Sequence, residues 1–326
     1  RDESGRFSAR NSLAYQENFL DRPIVNEYLE ILWSFLEKID PNLKRKKRVP
    51  RILPSCDVDS PFQYLHSSLF KITKICLHNV LEARSFSLFF KIFFDWVKVN
   101  SGAYELDPFY KFGYMMDVAE KNNLKMVFNF FGLRQKSMGG NYDISSNVIR
   151  SLLRDINSRG HAIGFHASYG SYQDAHKTRE EFDNLKKICE EESICQKSWG
   201  ARQHYLRWET PATASNLDYA KVTYDSTLGY ADIAGFRCGT CYEYPMFDLL
   251  KSCSLDLIQR PLVLMECSVI DKKYMGMGCD HVALEYINKL KEACFKFDGD
   301  FTLLWHNSYF KNMEYNLLYE QIVSKD

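Results

Sequence analysis

Residues 160–172 read GHAIGFHASYGSY. Its centre, HAIGFH, is a short apolar run that ends in a polar, glycine-containing loop, as a buried strand does where it reaches the surface. Before it, DISSNVIRSLLRDINS (143–158) carries apolar side chains at helical spacing and is stopped by Gly160. After it, KTREEFDNLKKICEEE (177–192) is a second helix. One short strand between two helices is the repeating unit of a parallel sheet with crossover helices. In an extended strand His161 and His166 point to opposite faces and lie more than about 10 Å apart, so they cannot share one metal ion. His166 sits at the strand's end beside the loop. His161 sits at its start and reads as a structural, hydrogen-bonding histidine.

The same pattern continues in both directions. RILPSCDVD (51–59), KMVFNFFGL (125–133), KSWGAR (197–202), KVTYDS (221–226), PLVLMECSV (261–269) and DFTLLWHNS (300–308) read as further short strands, and DHVALEYINKLKEACFKF (280–297) as a helix between the last two. A long helical region is expected from about 65 to 100, and another helix from Pro108 to about Asn122. The fold class that follows is α/β, a distorted (β/α) barrel of about seven parallel strands with an N-terminal helical extension. The expected division is residues 1–50 for the extension and its basic linker KRKKRVPR, and 51–326 for the barrel. The first dozen residues read as a poorly ordered polar tail. LDRPIVNEYLEILWSFLEKID (20–40) reads as a helix, with Asp21 able to cap it and Pro23 suited to its first turn.

Composition narrows the function classes. The 326 residues carry 42 basic and 42 acidic side chains, a balance that argues against nucleic-acid or membrane-surface binding as the main activity. The 20 tyrosines and 23 phenylalanines fit a large core, with some rings available to stack on sugars. The ten cysteines include one C-x-x-C pair, Cys238 and Cys241, where a structural zinc needs two such pairs. Reduced thiols and a reducing compartment follow. No run reaches the roughly 18 apolar residues of a membrane span; the nearest, FSLFFKIFFDWV (86–97), contains Lys91 and Asp95 and reads as a buried helix. The chain starts at Arg1, which points to an upstream segment, while the lack of a recognisable export signal points to the cytoplasm.

Polar residues gather at the strand ends, where such barrels carry their chemistry. Asp57 and Asp59 share a strand face with Val58 packed behind; they read equally as metal ligand plus base or as turn-forming aspartates before Pro61. His306 follows an apolar run and reads as a capped loop residue or a general acid. ARQHYLRW (201–208) supplies Arg202, His204 and Arg207, with Asp57 the natural partner for a buried arginine. YDSTLGYADIAGFRCGT (224–240) offers Asp225, Asp232 and Arg237 as hydrogen-bonding groups for sugar hydroxyls.

In order, RPIVNEYL, CDVDSPF, GHAIGFHASYGSY, GARQHYLRW, YDSTLGYADIAGFRCGT and TLLWHNS resemble the NodB-type polysaccharide deacetylases, carbohydrate esterase family four, and within it a divergent branch associated with bacterial surface-polysaccharide clusters. The resemblance spans residues 22 to about 310. It implies a divalent metal, usually zinc, held by one aspartate and two histidines, and hydrolysis of an N-acetyl group on a sugar of a surface polysaccharide or its precursor. Carried over, Asp57 is the base, Asp59 and His166 are metal ligands, and His306 is the acid. Arg202 pairs with Asp57, and the Tyr205 amide faces the oxyanion. Arg207, Asp225 and Arg237 are the expected substrate-binding residues.

The sequence departs from the family at Gly170, where the second histidine ligand belongs. His204 within GARQHYLRW or His176 in the following loop could take its place, or the metal is held weakly or not at all. His204 is preferred, because its motif already lies at the cleft. The rival readings are a non-catalytic glycan-binding protein and a hydrolase of a non-sugar amide C–N bond. The expected partner is a carbohydrate, with no nucleic acid and no membrane span; oligomeric state is not legible.

Overall fold

The opening strand is present as Ala162–Ala167, and its two flanking helices as Asn147–Ser158 and Ala175–Glu191. The computed structural model describes residues 1–83, 85–135, 140 and 142–324. In chain order the strands are β1 (Arg51–Asp57), β2 (Val127–Phe131), β3 (Ala162–Ala167), β4 (Gly200–Gln203), β5 (Tyr224–Asp225), β6 (Tyr244–Asp248), β7 (Cys253–Gln259), β8 (Leu264–Met265) and β9 (Asp300–Leu304). The helices are α1 (Leu13–Gln16), α2 (Ile24–Ile39), α3 (Leu69–Ala83), α4 (Phe86–Asn100), α5 (Phe112–Lys121), α6 (Asn147–Ser158), α7 (Ala175–Glu191), α8 (Ala212–Tyr219), α9 (Glu266–Ile270), α10 (His281–Phe295) and α11 (Met313–Val323).

The strands form one curled sheet, a half-barrel, in the order β6-β7-β5-β4-β3-β2-β1-β9-β8. Every neighbouring pair is parallel except β6 and β7. The seven strands read from sequence are all there, and β6 and β7 raise the count to nine. The extra pair is an antiparallel hairpin with much of its surface exposed. YPMFD carries Pro245, a residue confined to edge strands, which hides it from a strand pattern. The central strands are buried on both faces, so they read as nearly continuous apolar runs. Helices pack against them: Ile149, Leu152, Leu153 and Ile156 of α6 and Phe182, Leu185 and Ile188 of α7 join the main core.

Four sequence expectations are corrected. PLVLMECSV is a strand only at Leu264–Met265; from Glu266 it turns into α9. The helical region after residue 65 is a hairpin of α3 and α4, and FSLFFKIFFDWV within it is exposed along one face, with Phe90 and Phe94 more than half accessible. The helix after Pro108 begins at Phe112. The first dozen residues are not a loose tail. Ala9 is fully buried, its N–H donates to Asp232 Oδ1 at 3.0 Å, and Ser8 also bonds Asp232. The Tyr169 hydroxyl donates to the Ser4 carbonyl at 3.4 Å. The segment thus runs across the C-terminal ends of the strands.

Candidate active site

Parallel pairing brings the chemistry to one end of the sheet. Asp57 ends β1 opposite Asn129 of β2, and His166 of β3 stands beside Phe131 of β2 and Arg202 of β4. Asp59, His204 and His306 follow one or two residues beyond their strands. His161 lies at the other end, where Nδ1 accepts the Met126 N–H at 3.1 Å and Nε2 faces Glu120 at 3.3 Å. It is the structural histidine its position in the strand predicts.

Asp59, His166 and His204 converge, with ligand atoms within 4.8 Å of one another. Asp59 Oδ1 is 3.1 Å from His166 Nε2 and 3.3 Å from His204 Nε2. The other nitrogen of His166, Nδ1, donates to the Arg202 carbonyl at 2.9 Å, which fixes the ring. Burial would raise the Asp59 carboxyl, but hydrogen bonds from both histidines and the charge of His306 hold it well below its ordinary value. Burial lowers His204 despite Asp59. For His166 burial is outweighed by Asp57 and Asp59, which raise it. Position 176, the other candidate, is exposed at the start of α7 against Tyr219.

Asp57 and Arg202 form a buried pair, 3 % and 2 % exposed. Arg202 Nη1 is 3.9 Å from Asp57 Oδ1, while Nη2 donates to Ser55 Oγ at 3.0 Å and Ser226 Oγ at 2.9 Å. Asn129 Nδ2 donates to Asp57 Oδ1 at 2.7 Å. Burial works against the Asp57 charge, and Arg202, followed by His166 and His306, keeps its carboxyl below the usual value. Asn129 fits only because residue 164 is glycine: a Cβ there would lie 1.9 Å from Asn129 Oδ1.

On the other side, His306 Nδ1 bonds the fully buried Glu266 at 2.5 Å, and its backbone N–H donates to the same carboxylate at 3.1 Å. Its Nε2 is 3.7 Å from Asp59 Oδ2. Burial would lower the imidazole; Glu266, with Asp59 and Asp57 behind it, overcomes this and pushes it up to about 10. Tyr205 and Leu206 take φ of 62° and 54° in succession. Left-handed conformations at bulky residues cost about 1–3 kcal/mol each and gather at functional sites.

These groups line a cavity of about 230 Å³, whose walls include Arg6, Tyr205, Met265, Tyr274 and Tyr309. Beside it, beginning at Ser60, lies a groove of about 590 Å³ flanked by Phe62, Lys71, Tyr142 and Asp143. Arg207, Asp225 and Arg237 are not brought to the cavity. Arg207 lies against the rings of Tyr169 and Tyr172, at 3.9 and 4.0 Å, and donates to the Tyr169 carbonyl and the Tyr172 hydroxyl. Asp225 accepts the Thr227 N–H and hydroxyl in a buried turn, and burial pushes its carboxyl up to about 6. Arg237 donates to the Gly229 carbonyl at 2.8 Å. Each is held in structural contacts instead.

Sequence reading missed Glu266, Asn129 and Arg6. The first two had a signal: a lone polar side chain inside an apolar run, LVLME and VFNFF. Arg6 had none, since it belongs to a polar segment with no periodicity. All ten cysteines are free thiols, and among the described residues Asp59, His166 and His204 form the one group of potential ligands that converges.

Residues 1–41 match the model of a family of unknown function (DUF7033). No curated protein matches. Among solved structures, a candidate polysaccharide deacetylase from Mycobacterium smegmatis aligns over 87% of both chains at 15% identity and a TM-score of 0.53. PuuE allantoinase aligns over 86% of this chain and 85% of its own at 11% identity and 0.47. A candidate polysaccharide deacetylase from Pseudomonas aeruginosa PAO1 aligns over 85% and 84% at 12% identity and 0.45. The mycobacterial likeness is one of fold.

Proposed function

We propose that this chain is a metal-dependent hydrolase of amide C–N bonds, acting in the cytoplasm on an N-acetyl group of a surface-polysaccharide sugar or its precursor. The observation that carries the reading is the convergence of Asp59, His166 and His204 between two separate proton-handling pairs. The donor set fits a divalent cation. With Nδ1 donating to the Arg202 carbonyl, His166 turns Nε2 toward Asp59 Oδ1, 3.1 Å away, and Nε2 is the atom that the ring would offer a cation. A cation between them satisfies both, and the backbone-anchored imidazole is the usual support for a ligating histidine. His204 then completes the set that Gly170 leaves short. Such a cation, with zinc well suited to these donors, supplies Lewis-acid polarisation of a carbonyl and a more acidic water.

The chain's own residues do the rest. Asp57, kept ionised by Arg202 and Asn129, lines the cavity and accepts a proton from water. His306 has Nδ1 committed to Glu266, which leaves Nε2 directed into the cavity to protonate the departing amine. The Tyr205 amide, in a left-handed turn next to His204, is the donor that would meet the oxyanion. Phe62 and Tyr142 in the adjoining groove offer stacking surfaces for further sugars. The domain reading that accompanies this function keeps residues 1–50 as an extension and 51–326 as the barrel.

The small size of the 230 Å³ cavity favours a second reading, hydrolysis of a non-sugar amide. Acetate release from zinc-loaded protein, measured across N-acetylated oligosaccharides and small amides, separates the two. Asp59→Ala and His204→Ala are expected to abolish stoichiometric zinc and turnover, while His176→Ala leaves both intact. Full zinc retention in His204→Ala would overturn the proposed ligand set.

A further inference from the structure

The α3–α4 hairpin projects from the connection between β1 and β2 and has a small core of its own, built on Ile72, Cys76, Ile92 and Val99. Trp96 secures its base by donating to the Ser67 carbonyl at 3.2 Å. The outward faces of both helices are apolar. Phe70, Leu81 and Phe86 are 82%, 78% and 81% exposed, and Leu69, Leu77, Phe90 and Phe94 are each more than half exposed. Isolated apolar side chains on a surface are ordinary, but a contiguous set on one element marks a contact surface.

The charges among these side chains choose the contact. Lys71, Lys74, Lys91 and Lys98 are exposed. The acid described beside them, Asp95, is largely covered and bonded by Lys91 at 2.7 Å. Exposed phenylalanines interleaved with lysines are the pattern of a helix that lies in a lipid headgroup layer, its rings in the acyl boundary and its ammonium groups at anionic heads. By contrast α2 also exposes Tyr28, Ile31 and Phe35, but it interleaves them with the acids Glu30 and Glu37. Neither hairpin helix can cross a membrane: each has 15 residues, about 22 Å of length against a hydrocarbon core of about 30 Å.

We propose that the α3–α4 hairpin docks this protein on the surface of an anionic lipid bilayer. The balanced charge of the whole chain does not oppose this, because residues 69–100 carry five basic side chains and two acidic ones. Lys71 also lines the groove beside the candidate site, so docking brings that groove to the lipid–water boundary. The proposal is independent of the chemistry at Asp59.

The full chain is sedimented with vesicles of equal parts phosphatidylglycerol and phosphatidylcholine, and with phosphatidylcholine alone, without substrate. Binding to the anionic vesicles is expected, weakened by salt. Phe90→Ser with Phe94→Ser should lower partitioning by about a hundredfold, the loss expected for withdrawing two rings from an apolar phase. Lys74→Gln with Lys98→Gln, which leaves the packing untouched, should lower it by about thirtyfold. The proposal is overturned by no binding to anionic vesicles at low salt, by equal binding to neutral ones, by unchanged binding in both variants, or by a dimer in solution that the phenylalanine variant dissolves.

Discussion

Replacing Arg202 by methionine isolates the interaction that keeps Asp57 ionised. The pair is buried, and the 3.9 Å separation of Nη1 and Oδ1 makes it a charge interaction rather than a hydrogen bond. Two unit charges at that distance attract by about 4 kcal/mol at an effective dielectric of about 20. Arg202→Met also forfeits the hydrogen bonds to Ser55 and Ser226, and it leaves a carboxylate in the interior supported by Asn129 and the more distant His166 and His306. A loss of about 3–5 kcal/mol is expected, as for other broken buried pairs. Asp57→Asn strands the guanidinium instead and should be of similar size. The double variant removes both charges, so it should be less destabilised than the sum of the singles by about 4 kcal/mol. Urea unfolding followed by circular dichroism, with chelator in every sample, measures all four corners of the cycle. A coupling below about 1 kcal/mol would place the pair with weak surface ion pairs and refute the claim that Arg202 holds the Asp57 charge.

Glu266→Gln removes the anion behind His306 but keeps the shape; kcat should fall by about 10²–10⁴ while KM changes little, the pattern of a lost proton donor, and an equal rise in KM would instead mean a disturbed cavity. Asp225 has its folded value raised to about 6 from an ordinary 3.8, so its contribution is fully present below pH 4 and is lost as the pH climbs through 6. The stability of Asp225→Asn relative to the parent should therefore improve by about 2 kcal/mol between pH 4 and pH 7, and a pH-independent difference in urea midpoints would contradict this. Gly164→Ala must displace Asn129 from Asp57 and should destabilise the chain by about 1–3 kcal/mol, whereas Gly113→Ala, at an ordinary φ with no atom within 4 Å of the added Cβ, should cost nothing.

Most of the barrel was legible because parallel strands buried on both faces must be short apolar runs separated by helices, and VFNFF, AIGFHA and DFTLL are that. The β6–β7 hairpin was not, since an exposed edge pair is under no such constraint. The boundary at Met265 was lost for a related reason: LVLMECSV is apolar through the turn from strand to helix, and period alone cannot mark the change. At the site, Asp59, His166 and His204 were legible as separate residues, and the mutual register of β1, β3 and β4 is what turns them into a cluster. Arg207, Asp225 and Arg237 share the chemistry of sugar-binding residues, but their side chains bond to local backbone and hydroxyl groups, a contact that spacing in sequence does not reveal. FSLFFKIFFDWV read as core because it is strongly apolar; a two-helix hairpin standing off the sheet can cover only one face of each helix.

β1 lies in the interior of the sheet, yet one of its two neighbours, β9, begins 249 positions later in the chain. During synthesis the strand that ends in Asp57 must wait, with one side unpaired, until β9, 249 positions further along, has left the ribosome. Closing so long a loop places the late pairing among the slow events of folding. His306 arrives with that same final strand. The full set of proton-transfer groups is therefore assembled last, and a prematurely terminated chain would hold the aspartates without the imidazole that completes them.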